Sequence, residues 1–131
     1  MTDRARILVV DDEANIRRTL EALLHRAGFD VVTAANGDEA VILFEQHAFA
    51  LMLVDLKMPG MGGMEVVAVA RERQPSIAII VLTGHGSFDS TSEEAPPEGI
   101  FDYLLKTTDP AQVIERVKAG VAAVRREQQQ P

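Results

Sequence analysis

Two acidic positions carry the chemistry this sequence offers. Asp11 and Asp12 close the apolar run "ILVV", and Asp55 closes "LMLV". Acids at the ends of apolar runs stand at strand ends. If folding brings these ends together, three carboxylates share one site and push each other's pKa upward unless a cation lies among them. A hard divalent ion suits such a site. Mg2+ is the expected cofactor, because it prefers oxygen ligands, takes only a few from the protein and leaves room for water and phosphate oxygens. Thr83 closes "IAIIVL" and Lys106 follows "IFDYLL", which adds a hydroxyl and an ammonium. With a metal and a cation to neutralise the oxygens in transit, a carboxylate can accept a phosphoryl group as a mixed anhydride, and Asp55 is the expected nucleophile.

Each residue taken singly has an ordinary reading. Asp12 can cap the helix that starts near Ala14, and Asp55 can cap the turn toward Pro59. Thr83 at a strand end is commonly structural, and a lone Lys106 is commonly a solvated surface residue. The conjunction at four strand ends favours the chemical reading.

The elements that must position these residues alternate along the chain. "RILVV" (6–10), "DVVTA" (30–34), "LMLVD" (51–55), "IAIIVLT" (77–83) and "IFDYLL" (100–105) read as five strands. Their near-continuous apolar character suits parallel strands covered on both faces. Ile16, Leu20, Leu23, Leu24 and Ala27 recur at helical spacing before Gly28. Residues 38–46 and 64–73 read as further helices, and Ile114, Val117, Val121 and Val124 give the last helix its apolar stripe. Asp109 before Pro110 marks that helix's start. The pattern predicts an α/β, three-layer sandwich: a flavodoxin-like, doubly wound, five-stranded parallel sheet of order 2-1-3-4-5. Its ligand crevice lies beyond the carboxyl ends of strands one and three. The crossover before strand five departs from the pattern. "GSFDSTSEEAPPEG" (86–99) has almost no apolar residues and carries Pro96 and Pro97, so a degenerate, irregular or disordered fourth helix is expected, with at most about one turn near Ser90 to Ala95.

These motifs, "ILVVDDE", "LVDLKMPGMGG", "VLTGHG" and "FDYLLK", resemble the receiver domain of two-component response regulators over residues 5–124. The resemblance implies that a histidine kinase or phosphotransfer protein donates a phosphoryl group to Asp55. It implies that Asp12 holds Mg2+ directly, Asp11 largely through water, and the Lys57 backbone carbonyl as a further ligand. It implies that Thr83 moves toward the phosphoryl oxygens, Lys106 pairs with them and Tyr103 rotates inward as a switch. Lys57, Gly84 and His85 would line the approach. The bland alternatives are a partly buried strand aromatic for Tyr103 and a loop residue for His85.

The sequence departs from that family in three places. Thr107 follows Lys106 where receivers usually have proline after a cis bond. A cis bond before a non-proline residue costs on the order of 3 kcal/mol, so a trans bond and a less firmly placed lysine are expected. Gly62 stands where Asp or Asn is common, which affects the loop into the third helix. The third departure is the 86–99 segment.

Composition bounds the remaining choices. The chain has 131 residues, a net charge of -7 and no cysteine. One domain is expected over 1–124, with 125–131 a solvated helix end, tail or start of a linker, hinting at a receiver from a longer regulator. The acidic balance argues against direct nucleic-acid binding. Lack of cysteine excludes disulfides and thiolate chemistry. The four-residue apolar run Ile7 to Val10 is too short for a signal peptide or membrane span, so a cytoplasmic protein without membrane contact is expected. The leading reading is a phosphoacceptor switch acting on an output domain or partner protein. It is not an enzyme beyond self-phosphorylation and autodephosphorylation. A pseudo-receiver, acting as a phosphorylation-independent interaction module, is the alternative. A haloacid dehalogenase-type hydrolase would need a second Asp at position 57, which is Lys57, and no dinucleotide or P-loop motif follows strand one.

Overall fold

The computed structural model describes residues 4–84 and 99–129. The expected irregular segment 86–99 lies outside the described residues apart from Gly99, and so does His85. In chain order the elements are β1 (Arg6–Val10), α1 (Ala14–Arg26), β2 (Asp30–Ala34), α2 (Gly37–Gln46), β3 (Leu51–Asp55), α3 (Gly63–Arg73), β4 (Ala78–Thr83), β5 (Asp102–Leu105) and α4 (Pro110–Gln129). The strands form one five-stranded sheet in the order β2-β1-β3-β4-β5, all parallel, as the alternation predicts.

Parallel strands with helices on both faces must be apolar on both faces. Leu8, Val10, Met52, Val54, Ile79 and Val81 point to the side covered by α2 and α3. Ile7, Val9, Leu51, Leu53, Ile80 and Leu82 point to the side covered by α1 and α4. Each such buried aliphatic side chain is worth roughly 1.5–3 kcal/mol over an exposed one. The three inner strands β1, β3 and β4 therefore dominate the stability of the sheet.

Register then sets the site. Val10 lies opposite Val54, Asp55 opposite Leu82, and Thr83 opposite Leu105. Asp11 and Asp55 thus each stand one step past a paired valine, at the carboxyl end of the sheet.

Two boundaries and one stripe differ from the sequence reading. Ile77 belongs to the turn before β4, where its N–H donates to the Gln74 carbonyl at 3.0 Å. Ile100 and Phe101 lead into β5 from Gly99, whose φ of 90° is a left-handed turn conformation suited to glycine. In α4 the buried residues include Val113, Val117, Val121 and Val124, while Ile114 is only half-buried. The spacing 113, 117, 121, 124 keeps one face toward the sheet, and Ile114 lies about 100° around the helix from Val113. The helix opens as expected, with Asp109 Oδ1 accepting from the Ala111 N–H at 3.2 Å. It continues to Gln129, so residues 125–129 are helical. Among the described residues no helix is long and apolar enough to cross a membrane.

Local hydrogen bonds fix the ends of the helices. Asn36 caps α2 by accepting from the Glu39 N–H at 2.9 Å, and Glu39 accepts in turn from the Ala35 N–H at 2.8 Å. At the far end of α2, Gln74 donates to the carbonyls of Phe44 at 3.2 Å and His47 at 2.7 Å, and accepts from the Phe49 N–H at 2.8 Å. One side chain thereby satisfies the exit of α2 and the approach to β3. Replacing Gln74 with Ala is expected to lower unfolding free energy by about 1–3 kcal/mol in urea titrations.

Gly63 makes the closest approach beneath the site. A Cβ there would meet the Asp55 carbonyl oxygen, and the Leu56 Cα at 2.7 Å, both backbone atoms that cannot rotate away. Gly63→Ala is therefore expected to cost roughly 1–3 kcal/mol in the same titration. It should also shift the backbone amide resonances of Asp55 and Leu56.

Candidate functional site

The site forms where the ends of β1, β3, β4 and β5 converge in a cleft of about 210 Å³, lined by Asp12, Asp55, Thr83, Gly84 and Lys106 among others. Asp11 is fully buried, Asp55 is 4% exposed, and Thr83 is buried as well. Asp12 and Lys57 face solvent at the rim.

Each buried acid divides its oxygens between the local turn and the cleft. Asp55 Oδ1 accepts from the Lys57 N–H at 3.0 Å, which holds the loop leaving β3, while Oδ2 lies 3.0 Å from Lys106 Nζ. Asp55 thus holds the turn after β3 with one oxygen and faces the lysine with the other. Asp11 Oδ1 accepts from the Glu13 N–H at 2.9 Å and from Lys106 Nζ at 3.2 Å. Asp12 does not cap α1, whose N-cap is Glu13 and which has no side-chain cap hydrogen bond.

Lys106 crosses the cleft from the end of β5. Its Nζ also meets Glu13 Oε2 at 3.1 Å. Burial alone favours the neutral amine, but the hydrogen bonds to Asp55, Asp11 and Glu13 outweigh it and hold the ammonium's pKa above the usual lysine value. Among the described residues no peptide bond is cis, so the Lys106–Thr107 bond is trans, as expected. The lysine is nonetheless well placed, because three carboxylates hold its head and the Lys106 N–H donates to the Thr83 carbonyl at 2.8 Å. The weaker placement expected from Thr107 is not what the contacts give.

Burial pushes the Asp11 carboxyl above its ordinary pKa, and the Asp55 charge adds to this, while the Glu13 N–H and Lys106 oppose it. Its Oδ2 is buried and accepts no hydrogen bond, although Lys106 Nζ stands 3.0 Å away as an ion pair. Asp11, Asp12 and Asp55 each offer an oxygen within 4.8 Å of the others. An all-oxygen set containing a buried anionic atom without a hydrogen-bond donor fits a hard divalent cation such as Mg2+.

Thr83 and Tyr103 share one face of the sheet, since Tyr103 pairs with Val81 and Thr83 lies two residues beyond Val81. Tyr103 is half-buried and packs against the core on the α2 and α3 side, and burial raises its phenol pKa. Gly84 borders the lysine stem: a Cβ there would lie 4.0 Å from Lys106 Cδ.

Two participants were not foreseen from the sequence. Glu13 is visible in the string "DDE", where attention falls on the two aspartates. Arg17 donates to the Asp11 carbonyl oxygen at 2.8 Å and steadies the turn from β1 into α1. Nothing in its local sequence separates it from an ordinary solvated helix arginine.

Residues 7–118 match the model of the response regulator receiver domain. The transcriptional regulatory protein ResD of Bacillus subtilis (strain 168) is 41% identical over 118 residues, covering 90% of this chain and 48% of the relative. The transcriptional regulatory protein SrrA of Staphylococcus aureus is 40% identical over 113 residues, covering 86% of this chain and 46% of the relative. The chain thus spans about half the length of these curated relatives. Among solved structures, a response regulator receiver domain protein from Clostridium thermocellum superposes with TM-score 0.81 at 30% identity, covering 96% of this chain and 99% of that one. The response regulator TrrA from Thermotoga maritima, solved in complex with Mg(2+)-BeF, has TM-score 0.77 at 34% identity and covers 88% of this chain and 98% of that one. With the strand order, the acidic cluster and the lysine in one cleft, these matches place the chain among the response regulator receiver domains, the signalling switches of two-component systems.

Proposed function

We propose that this chain is a phosphoacceptor switch that receives a phosphoryl group on Asp55 from a histidine kinase or phosphotransfer protein and, once modified, acts on an output domain or partner. The observation that carries this reading is the Lys106 ammonium 3.0 Å from Asp55 Oδ2, beside carboxylates grouped for a divalent ion. The complex of the TrrA relative with Mg(2+)-BeF supports it by likeness.

In the forward step an Asp55 carboxylate oxygen attacks phosphorus and forms an O–P bond. The P–N bond to the donor imidazole breaks, and the imidazole leaves with the electron pair and takes a proton from solvent. Mg2+, held by Asp11, Asp12, Asp55 and the Lys57 carbonyl, would neutralise charge on the phosphoryl oxygens. Lys106 donates hydrogen bonds to those oxygens, and the Thr83 hydroxyl adds another from the neighbouring strand end. In the return step water attacks phosphorus, inorganic phosphate leaves and the Asp55 carboxylate is restored.

Output would follow from the shared face of Thr83 and Tyr103. A hydroxyl drawn toward the phosphoryl group opens space on the side where the half-buried phenol packs, and a two-state ring position converts a local charge into a surface change. The relatives named as transcriptional regulators are about twice as long as this chain, so control of transcription would need a part outside the 1–124 domain. A lysine displaced from Asp55 would favour the alternative, a phosphorylation-independent interaction module; the 3.0 Å contact between Lys106 Nζ and Asp55 Oδ2 supports the switch instead.

Incubation with acetyl phosphate is expected to add the mass of one phosphoryl group to the intact protein only when Mg2+ is present. Asp55→Asn should abolish the gain. An unmodified wild-type mass under these conditions would overturn the reading.

Magnesium affinity should also depend on pH. The raised Asp11 pKa means that this carboxyl takes up a proton at a higher pH than an ordinary aspartate, and a proton competes with the metal. Calorimetric titration should show Mg2+ binding weakening as pH falls, beginning above the usual aspartate range. In Asp11→Asn the remaining pH dependence should shift to lower pH.

A further inference from the structure

We propose that Glu13 is a positioning residue for Lys106: its carboxylate tethers the ammonium over Asp55 so that the lysine is aimed at the phosphoryl group during transfer. The proposal rests on the phosphoacceptor reading above.

An ammonium has three N–H donors. Those of Lys106 meet Asp55 Oδ2 at 3.0 Å, Glu13 Oε2 at 3.1 Å and Asp11 Oδ1 at 3.2 Å. Two of these acceptors belong to the acidic cluster suited to a metal, and Glu13 does not. During transfer Asp55 commits an oxygen to the new O–P bond, and Asp11 would be shared with the cation that the acidic cluster is suited to hold. Glu13 is then the carboxylate that stays with the lysine in both states, leaving the other two donors for phosphoryl oxygens.

Topology gives the tether its direction. Lys106 leaves the edge strand β5, whereas Glu13 sits in the turn after β1, on the other side of β3. A lysine held at its base by β5 and at its head from beyond β3 must lie across the end of β3, where Asp55 stands.

Glu13 is also available for this role. It occupies the N-cap position of α1 with an extended backbone, yet its side chain makes no cap hydrogen bond. Its own N–H is held by Asp11 Oδ1, which fixes the backbone from which the side chain reaches. Truncation therefore leaves the helix start intact. The side chain is 59% exposed, so its charge also faces an incoming anionic phosphodonor. That repulsion governs donor binding, whereas the tether governs the transfer step.

The test measures acetyl phosphate phosphorylation of wild type, Glu13→Gln and Glu13→Ala at saturating Mg2+. It separates the maximal rate constant from the half-saturating donor concentration. Side-chain 15N spectra of the unphosphorylated proteins report on the Lys106 ammonium. Glu13→Ala is expected to lower the maximal rate about fivefold, the scale of a partly exposed charged contact. It should also weaken the protected Lys106 ammonium signal. Glu13→Gln keeps an acceptor oxygen and should stay within about twofold of wild type in maximal rate, with the signal retained. Both variants should need no more donor for half-saturation than wild type. A wild-type maximal rate in Glu13→Ala, an equal loss in Glu13→Gln, or an unchanged Lys106 signal in Glu13→Ala would each overturn the tether. Absence of any phosphoryl gain in wild type would instead remove the phosphoacceptor reading on which the tether's role in transfer depends, while the Lys106 signal would still report the resting contact.

Discussion

The Lys106 ammonium bound by Asp11, Glu13 and Asp55 is the interaction on which this site depends. Two buried carboxylates cannot share a cleft without compensation, because desolvation and mutual repulsion both disfavour their charged forms. One cation with three donors meets three acids, and each gains an oppositely charged partner. Well-packed apolar residues of similar volume in place of such a charge cluster would often cost no stability, but would leave no polar group in the cleft.

The rest of the fold delivers these groups to one place. Parallel strands end at the same side of the sheet, and the register aligns Val10 with Val54, Asp55 with Leu82, and Thr83 with Leu105. A slip of one residue would turn every side chain of a strand to its other face. The apolar layers on both faces therefore protect the geometry of the site as well as the stability of the domain. Beneath it, Gly63 lets α3 begin against the backbone of Asp55 and Leu56, while the Lys57 N–H and the Glu13 N–H bond the two buried acids into their turns.

Within the receiver family this chain places its lysine by side-chain contacts from the opposite side of the cleft, with Thr107 following it and a trans bond between them. Backbone contact contributes through the Lys106 N–H to Thr83 carbonyl bond, which joins the two strand ends that carry the hydroxyl and the ammonium. A departure at the residue after the lysine thus leaves the charge arrangement around Asp55 intact.

The sequence alone determined the number and order of the strands, the parallel sheet and the identities of Asp11, Asp12, Asp55, Thr83 and Lys106 as residues of one site. These were legible because apolar runs and helical spacing are local properties, and because each of these polar residues closes or follows such a run. Tertiary structure decided the rest. Val113 replaces Ile114 in the buried stripe because the angle at which α4 meets the sheet is set by packing. Gln74 became a clasp for α2 only when the ends of α2 and α3 were brought together. Glu13, Arg17 and the firm placement of Lys106 depend on side chains meeting across strands, and contacts between distant segments have no local signature from which they can be read.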